Sequence, residues 1–110
     1  MINERVDLMK QKIGEDISSF SVSPFAKWMG GKLLAVEEGL VEIEITVRED
    51  MCNPLMILHG GVAAAIMDEL MGWSAYTLNR AHKYTTINLN VEFLSVVKIG
   101  EKIICSTSLS

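Results

Sequence analysis

The 110-residue chain has only two cysteines, Cys52 and Cys105, no excess of basic residues and no long apolar run. Two cysteines build no disulfide framework and suit a reducing compartment, so a cytoplasmic location is expected. Ten Lys and Arg against fourteen Asp and Glu give a net charge of −4. That balance argues against nucleic acid or an anionic membrane as the main partner. A membrane span needs roughly 18 apolar residues, and a charge interrupts every run here before that length. Charges scattered through the first sixteen residues also leave no signal-peptide core. The two histidines and two cysteines form no ligand cluster, so no metal or other cofactor is expected. Repeats and low-complexity stretches are missing too. With 49% hydrophobic and 22% charged residues, the chain reads as one soluble domain able to bury a modest core.

Hydrophobic spacing divides the chain into elements. Residues 3–14 carry Val6, Leu8, Met9 and Ile13 at helical intervals, with Asn3 as cap and Gly14 as stop. Pro24 opens a short helical turn through Phe25, Ala26 and Trp28, which Gly30-Gly31 breaks. Residues 32–38 and 40–48 read as strands about a Gly39 turn. In the second, Val41, Ile43, Ile45 and Val47 alternate with Glu42, Glu44 and Thr46, the period of a half-buried strand. A loop over 49–58 contains Asn53-Pro54. Residues 60–79 follow as a helix apolar nearly all round, which predicts a central, fully buried element. Residues 85–93 alternate again, and a further strand begins at 103. A long buried helix between groups of antiparallel strands is an α+β pattern in which a sheet wraps a helix.

The most informative segment is His59-Gly60-Gly61-Val62-Ala63-Ala64-Ala65-Ile66-Met67-Asp68. Glycine lets a backbone approach a ligand closely. The free N–H groups of a helix start attract a carbonyl or carboxyl oxygen. A carboxylate two turns into an apolar helix is expected to bear a desolvation cost, and so to have a reason for being there. Together these features suggest a site that polarises a carbonyl beside a nucleophile or base.

With Asn53 six residues before His59, Asp68 nine after it, and Thr86-Ile87-Asn88-Leu89-Asn90-Val91-Glu92-Phe93-Leu94 following, residues 39–110 resemble the hotdog-fold acyl-CoA thioesterases. The resemblance is to the phenylacetate-degradation type of the 4-hydroxybenzoyl-CoA thioesterase superfamily. It implies a single hotdog domain over 1–110, with 1–31 as an N-terminal helical segment, and a homodimer or homotetramer. It implies hydrolysis of an acyl-CoA to a free acid and coenzyme A, without metal. The Gly60 N–H would stabilise the oxyanion, and Asn53 would orient the carbonyl or the attacking water. Asp68, supplied by a neighbouring subunit, would be nucleophile or general base, and Thr86 would position the water or Asp68. His59 would hold the loop and the thioester end. Gly61, Met56 and Met71 are the expected neighbours of the substrate, with Met56 standing where relatives carry glycine or glutamine. The resemblance also implies about two further strands after residue 110. The chain as given is therefore expected to be a fragment or truncated product, with open edges on the strand after the helix and on residues 103–110.

Each of these residues also has a plainer reading. Asn53 is a common turn residue, Thr86 a common strand former, and His82 with Arg80 and Lys83 a solvated loop as readily as a site for coenzyme A phosphates. Methionines fill cores flexibly. Asp68 has no basic residue three or four positions away, so an ion pair along the helix does not explain it. Glu69 lies about 100° round the helix from it, which disfavours a carboxylate pair. Two other readings stay open: a non-catalytic acyl-CoA-binding hotdog module or inactive truncated homologue, and a hotdog dehydratase.

Overall fold

In the computed structural model, residues 3–78, 87–91 and 97–109 are described, the middle stretch by its backbone alone. The alternation in residues 40–48 becomes strand β2, Leu40–Thr46, preceded by β1, Lys32–Glu37. Val41, Ile43, Ile45 and Val47 are each at most 1% exposed, while the intervening glutamates face outward. Strands β3, Ile87–Val91, and β4, Lys102–Leu109, complete an antiparallel sheet of order β1-β2-β4-β3. Ile43 stands opposite Leu33 on one side and Cys105 on the other. The strands expected over 32–38, over 40–48 and from 103 are thus present within about two residues of their bounds. Of the strand expected over 85–93, the described residues 87–91 are extended, its ends lying outside the described residues.

The open-edge expectation is corrected for β4. Its residues pair with β2 on one side and with β3 on the other, from Leu109 opposite Ile87 to Cys105 opposite Val91. An antiparallel neighbour satisfies the backbone groups that would otherwise face solvent. Among the described residues, β1 and β3 are the outer strands of the sheet.

Among the described residues, three α-helices accompany it: α1, Glu4–Lys10; α2, Pro24–Met29; and α3, Gly60–Leu78. The Asn3 side chain caps α1 by accepting from the Val6 N–H, and Ser23 caps α2 with Pro24 in its first turn. Asn3 also donates to the Thr77 carbonyl at 2.7 Å, and Arg5 donates to the Tyr76 carbonyl at 3.1 Å with its guanidinium over the Tyr76 ring. The unpaired carbonyls at the end of α3 are therefore taken up by the N-terminal segment.

Helix α3 crosses the sheet, but it is not buried all round as its composition predicts. Ile66, Leu70, Ser74 and Thr77 form one buried stripe, whereas Ala64, Asp68, Gly72, Ala75 and Tyr76 are exposed. The sheet covers a single face of the helix, and mostly small side chains occupy the opposite one. Polar groups fix the buried stripe. The Ser74 and Thr107 hydroxyls hydrogen-bond each other, and Thr107 Oγ1 donates to the Leu70 carbonyl at 3.1 Å. Thr77 Oγ1 donates to the Ser74 carbonyl and accepts from the Gly39 N–H at 2.8 Å. Gly39 turns the chain between β1 and β2 with φ +80°, a conformation glycine adopts without a Cβ penalty.

Two outcomes follow from this packing. Thr77→Val keeps the shape but leaves the buried Gly39 N–H without its acceptor. It should lower unfolding free energy by about 2 kcal/mol in a denaturant titration. Burial also raises the Cys105 thiol to about 11 from an ordinary 9.0. The native chain then keeps a proton that the unfolded chain releases. The associated stability is whole below about pH 9 and is lost as pH rises toward about 11, by up to about 3 kcal/mol. Denaturation midpoints measured across that window should fall for the wild type, with a flatter slope for Cys105→Ala.

Candidate active site

The loop leading into α3 is a tight hairpin. Cys52 bridges Leu58, the Asn53 N–H donates to the Ile57 carbonyl at 2.9 Å, and the Met56 N–H donates back to the Asn53 carbonyl at 2.9 Å. The Asn53 side-chain oxygen accepts from the Leu55 N–H at 2.9 Å, closing an Asx turn over Pro54. Asn53 thereby performs the turn role, and its amide nitrogen has no acceptor among the described residues. Met56 holds φ at 61°, the one non-glycine residue with positive φ among those described, and its side chain is exposed. Glycine adopts this left-handed backbone without the Cβ penalty that methionine bears. Leu58 donates to the Val97 carbonyl and His59 to the Met51 carbonyl, at 2.8 and 2.9 Å, anchoring the far side of the hairpin.

His59 then caps the helix with two groups. Its carbonyl accepts from the Val62 and Ala63 N–H groups, and its Nδ1 accepts from the Gly61 N–H at 2.8 Å. The first turn is left with one free donor: the Gly60 N–H meets no acceptor among the described residues. A Cβ built on Gly60 would meet nothing within 4 Å, so the backbone beside this donor is uncrowded. Such a group, at the positive end of a helix dipole, suits a developing oxyanion.

Asp68 stands eight residues further on, about 12 Å along the axis at 1.5 Å per residue. It is exposed and has no ion pair or hydrogen bond among the described residues. The expected desolvation cost therefore does not arise in a single chain, because the sheet covers the other face of the helix. One chain accordingly brings together Asn53, Met56, His59, Gly60 and Gly61, but not Asp68. Met71, half-buried, lies a further three residues along the helix. Thr86 and His82 lie outside the described residues. Glu69 accepts from the Trp73 indole N–H at 3.3 Å, a role within the helix.

The sequence reading missed a cleft of about 320 Å³ beside the helix start, lined by Phe25, Trp28, Cys52, His59, Val62 and Ala65 among others. The aromatic pair at i and i+3 in a proline-started turn was the available signal.

The thioesterase superfamily model matches residues 56–110, half of the chain. The chain belongs to the thioesterase superfamily. Among curated relatives in this superfamily, human acyl-coenzyme A thioesterase 13 is 26% identical over 98 residues, 87% of this chain and 70% of that protein. A Thermoplasma acidophilum protein provisionally named an esterase is 27% identical over 95 residues, 86% of this chain and 72% of its own. The PaaI protein of the E. coli phenylacetic acid degradation operon superposes with a TM-score of 0.69 over 98% of this chain and 72% of its own, at 14% identity. That superposition establishes the hotdog fold expected from the resemblance.

Within this thioesterase-superfamily loop, Met56→Gly should relieve the left-handed strain. Gains of about 1–2 kcal/mol from the backbone are partly offset by glycine's greater freedom when unfolded. The denaturant midpoint should rise by the equivalent of about 0.5–1 kcal/mol.

Proposed function

We propose that this chain hydrolyses the thioester of an acyl-CoA, giving a free acid and coenzyme A. The observation that carries the proposal is the single unoccupied donor at the start of α3, in a chain of the thioesterase superfamily. With the Gly61 N–H held by His59, the Gly60 N–H alone is left without an acceptor among the described residues, and it receives the thioester oxygen. Hydrogen bonding there stabilises charge as the carbonyl carbon turns tetrahedral. Asp68 of a second copy acts as nucleophile or as the base that activates water. With Asp68 as base, the activated water adds to the carbonyl, collapse of the intermediate breaks the C–S bond, and the proton taken from the water passes to the departing thiolate. With Asp68 as nucleophile, collapse breaks the C–S bond and leaves an acyl–aspartyl anhydride. Water then hydrolyses it to the free acid, restoring Asp68 and supplying the thiolate's proton. Asn53, through its amide, and Thr86 assist in orienting water and carbonyl. Gly61, Met56, Met71 and His82 are the proposed substrate contacts. The working unit is a homodimer or homotetramer, because Gly60 and Asp68 of one chain are too far apart to act on one carbonyl. We assign the protein to the cytoplasm on its two free thiols.

A second reading is an acyl-CoA-binding module without turnover. The separation of donor and carboxylate within one chain favours it for any population that stays monomeric. A dehydratase is disfavoured. His59 Nδ1 is committed to the Gly61 N–H, and no carboxylate bonds that histidine among the described residues.

A pair of substitutions at one position isolates the donor. Gly60→Pro removes the N–H at a helix position where proline is tolerated, whereas Gly60→Ala keeps it and adds a Cβ in open space. Thiol release from a panel of acyl-CoAs should fall roughly 10²–10³-fold for the proline variant and stay near wild type for the alanine variant. Asp68→Ala should cost on the order of 10²-fold or more. Equal rates for Gly60→Pro and wild type would exclude the oxyanion role. Saturable binding with no thiol release would favour the module.

A further inference from the structure

Helix α2 has two faces with different duties. Ala26 and Met29, three apart, are fully buried in the core. Phe25 and Trp28, also three apart, line the cleft beside His59 and Gly61 instead, opposite Val62 and Ala65 of α3. Trp28 is 38% exposed. Leaving so large an apolar side chain against water forfeits burial energy, yet its orientation is fixed from several directions. The indole N–H donates to Asp50 Oδ2 at 3.1 Å, and the Arg48 guanidinium lies 5.2 Å over the ring. The same guanidinium donates to the Trp28 and Met29 carbonyls at 2.6 and 3.0 Å and to Asp50 Oδ1 at 3.1 Å. Phe25 tilts against Trp28 with ring centroids 5.7 Å apart. An exposed aromatic clamped in one orientation is a preorganised binding surface.

We propose that Phe25 and Trp28, facing Val62 and Ala65, form the surface that grips the acyl group of the thioester and sets acyl selectivity. The inference rests on the thioesterase reading above and identifies which part of the substrate this cleft takes. The Gly60 donor stands at the cleft's rim, next to its lining residues His59 and Gly61, so a carbonyl held there extends its acyl substituent into the cleft. The nucleotide end of coenzyme A is a poor match. Asp50 adds negative charge to the lining, and among the described residues the one guanidinium nearby is already shared among Asp50 and two carbonyls. The fitting occupant is an apolar acyl chain several carbons long, because acetyl offers only a methyl group for the aromatic pair to bury.

The test compares acetyl-CoA with hexanoyl-CoA on the full chain. Trp28→Ala should lower the hexanoyl-to-acetyl ratio of kcat/KM by about tenfold, the scale of a lost apolar contact in a pocket. Trp28→Phe, which keeps the wall but drops the bond to Asp50, should preserve most of the ratio. Ala65→Phe fills the cleft from α3 without touching the Arg48–Asp50 clamp and should lower the ratio as Trp28→Ala does. An unchanged ratio in both Trp28→Ala and Ala65→Phe, with turnover intact, overturns the proposal and leaves the thioesterase reading standing. If the wild type turns over neither substrate, the thioesterase reading fails and binding decides the cleft. Trp73→Phe leaves Trp28 as the sole tryptophan. Its emission should respond to hexanoyl-CoA and not to coenzyme A alone. Silence toward hexanoyl-CoA also overturns the proposal.

Discussion

The structure depends on how α3 is locked in register on the sheet. Apolar contacts alone are non-directional, and a helix rich in alanine and methionine would pack almost as well shifted along its axis. The chain of hydroxyls from Thr107 through Ser74 and Thr77 to the Gly39 N–H removes that freedom. Each member satisfies another in a buried setting, so sliding the helix would strand several polar groups at once. The lock sits in the last turns of α3, yet it positions the first turn, because a helix transmits position along its length as a rigid rod. The location of the free Gly60 donor is decided fourteen or more residues away.

The N-terminal segment works from the other side. Asn3 and Arg5 hold the end of α3 by its carbonyls, and the Gly14 N–H and Ile17 N–H bond the Leu33 and Gly31 carbonyls at 2.8 Å each. Arg48, from the loop after β2, secures the end of α2. Although residues 3–31 carry none of the superfamily match, they are stitched to both layers of the domain and supply one wall of the cleft.

Much of this was legible in the sequence because it follows from local rules. The alternation of Val41, Ile43 and Ile45 gave β2, Asn3 and Pro24 announced helix starts, and His59-Gly60-Gly61 marked the start that matters. What was not legible depends on partners distant in sequence. Composition made α3 look buried on every side, and only the sheet reveals which stripe is covered; Ser74 and Thr77, polar residues three apart among apolar ones, were the clue. Asp68 looked like a buried charge for the same reason. Nothing local announced that Met56 sits in left-handed backbone, or that Arg48 reaches back to clamp Trp28. The roles of Thr86 and His82 fall outside the described residues.

The unpaired donor at the head of α3 belongs to the main chain, and that alters how such a site is inherited. A catalytic side chain disappears with a single codon change, whereas a backbone amide survives every substitution except one to proline. What must be passed on is the geometry of the turn: a residue at 59 that occupies its neighbour's amide, and a hairpin that delivers it there. Alanine scanning passes over a function of this kind, and a search for invariant letters undervalues it, because the chemistry is stored in the path of the chain.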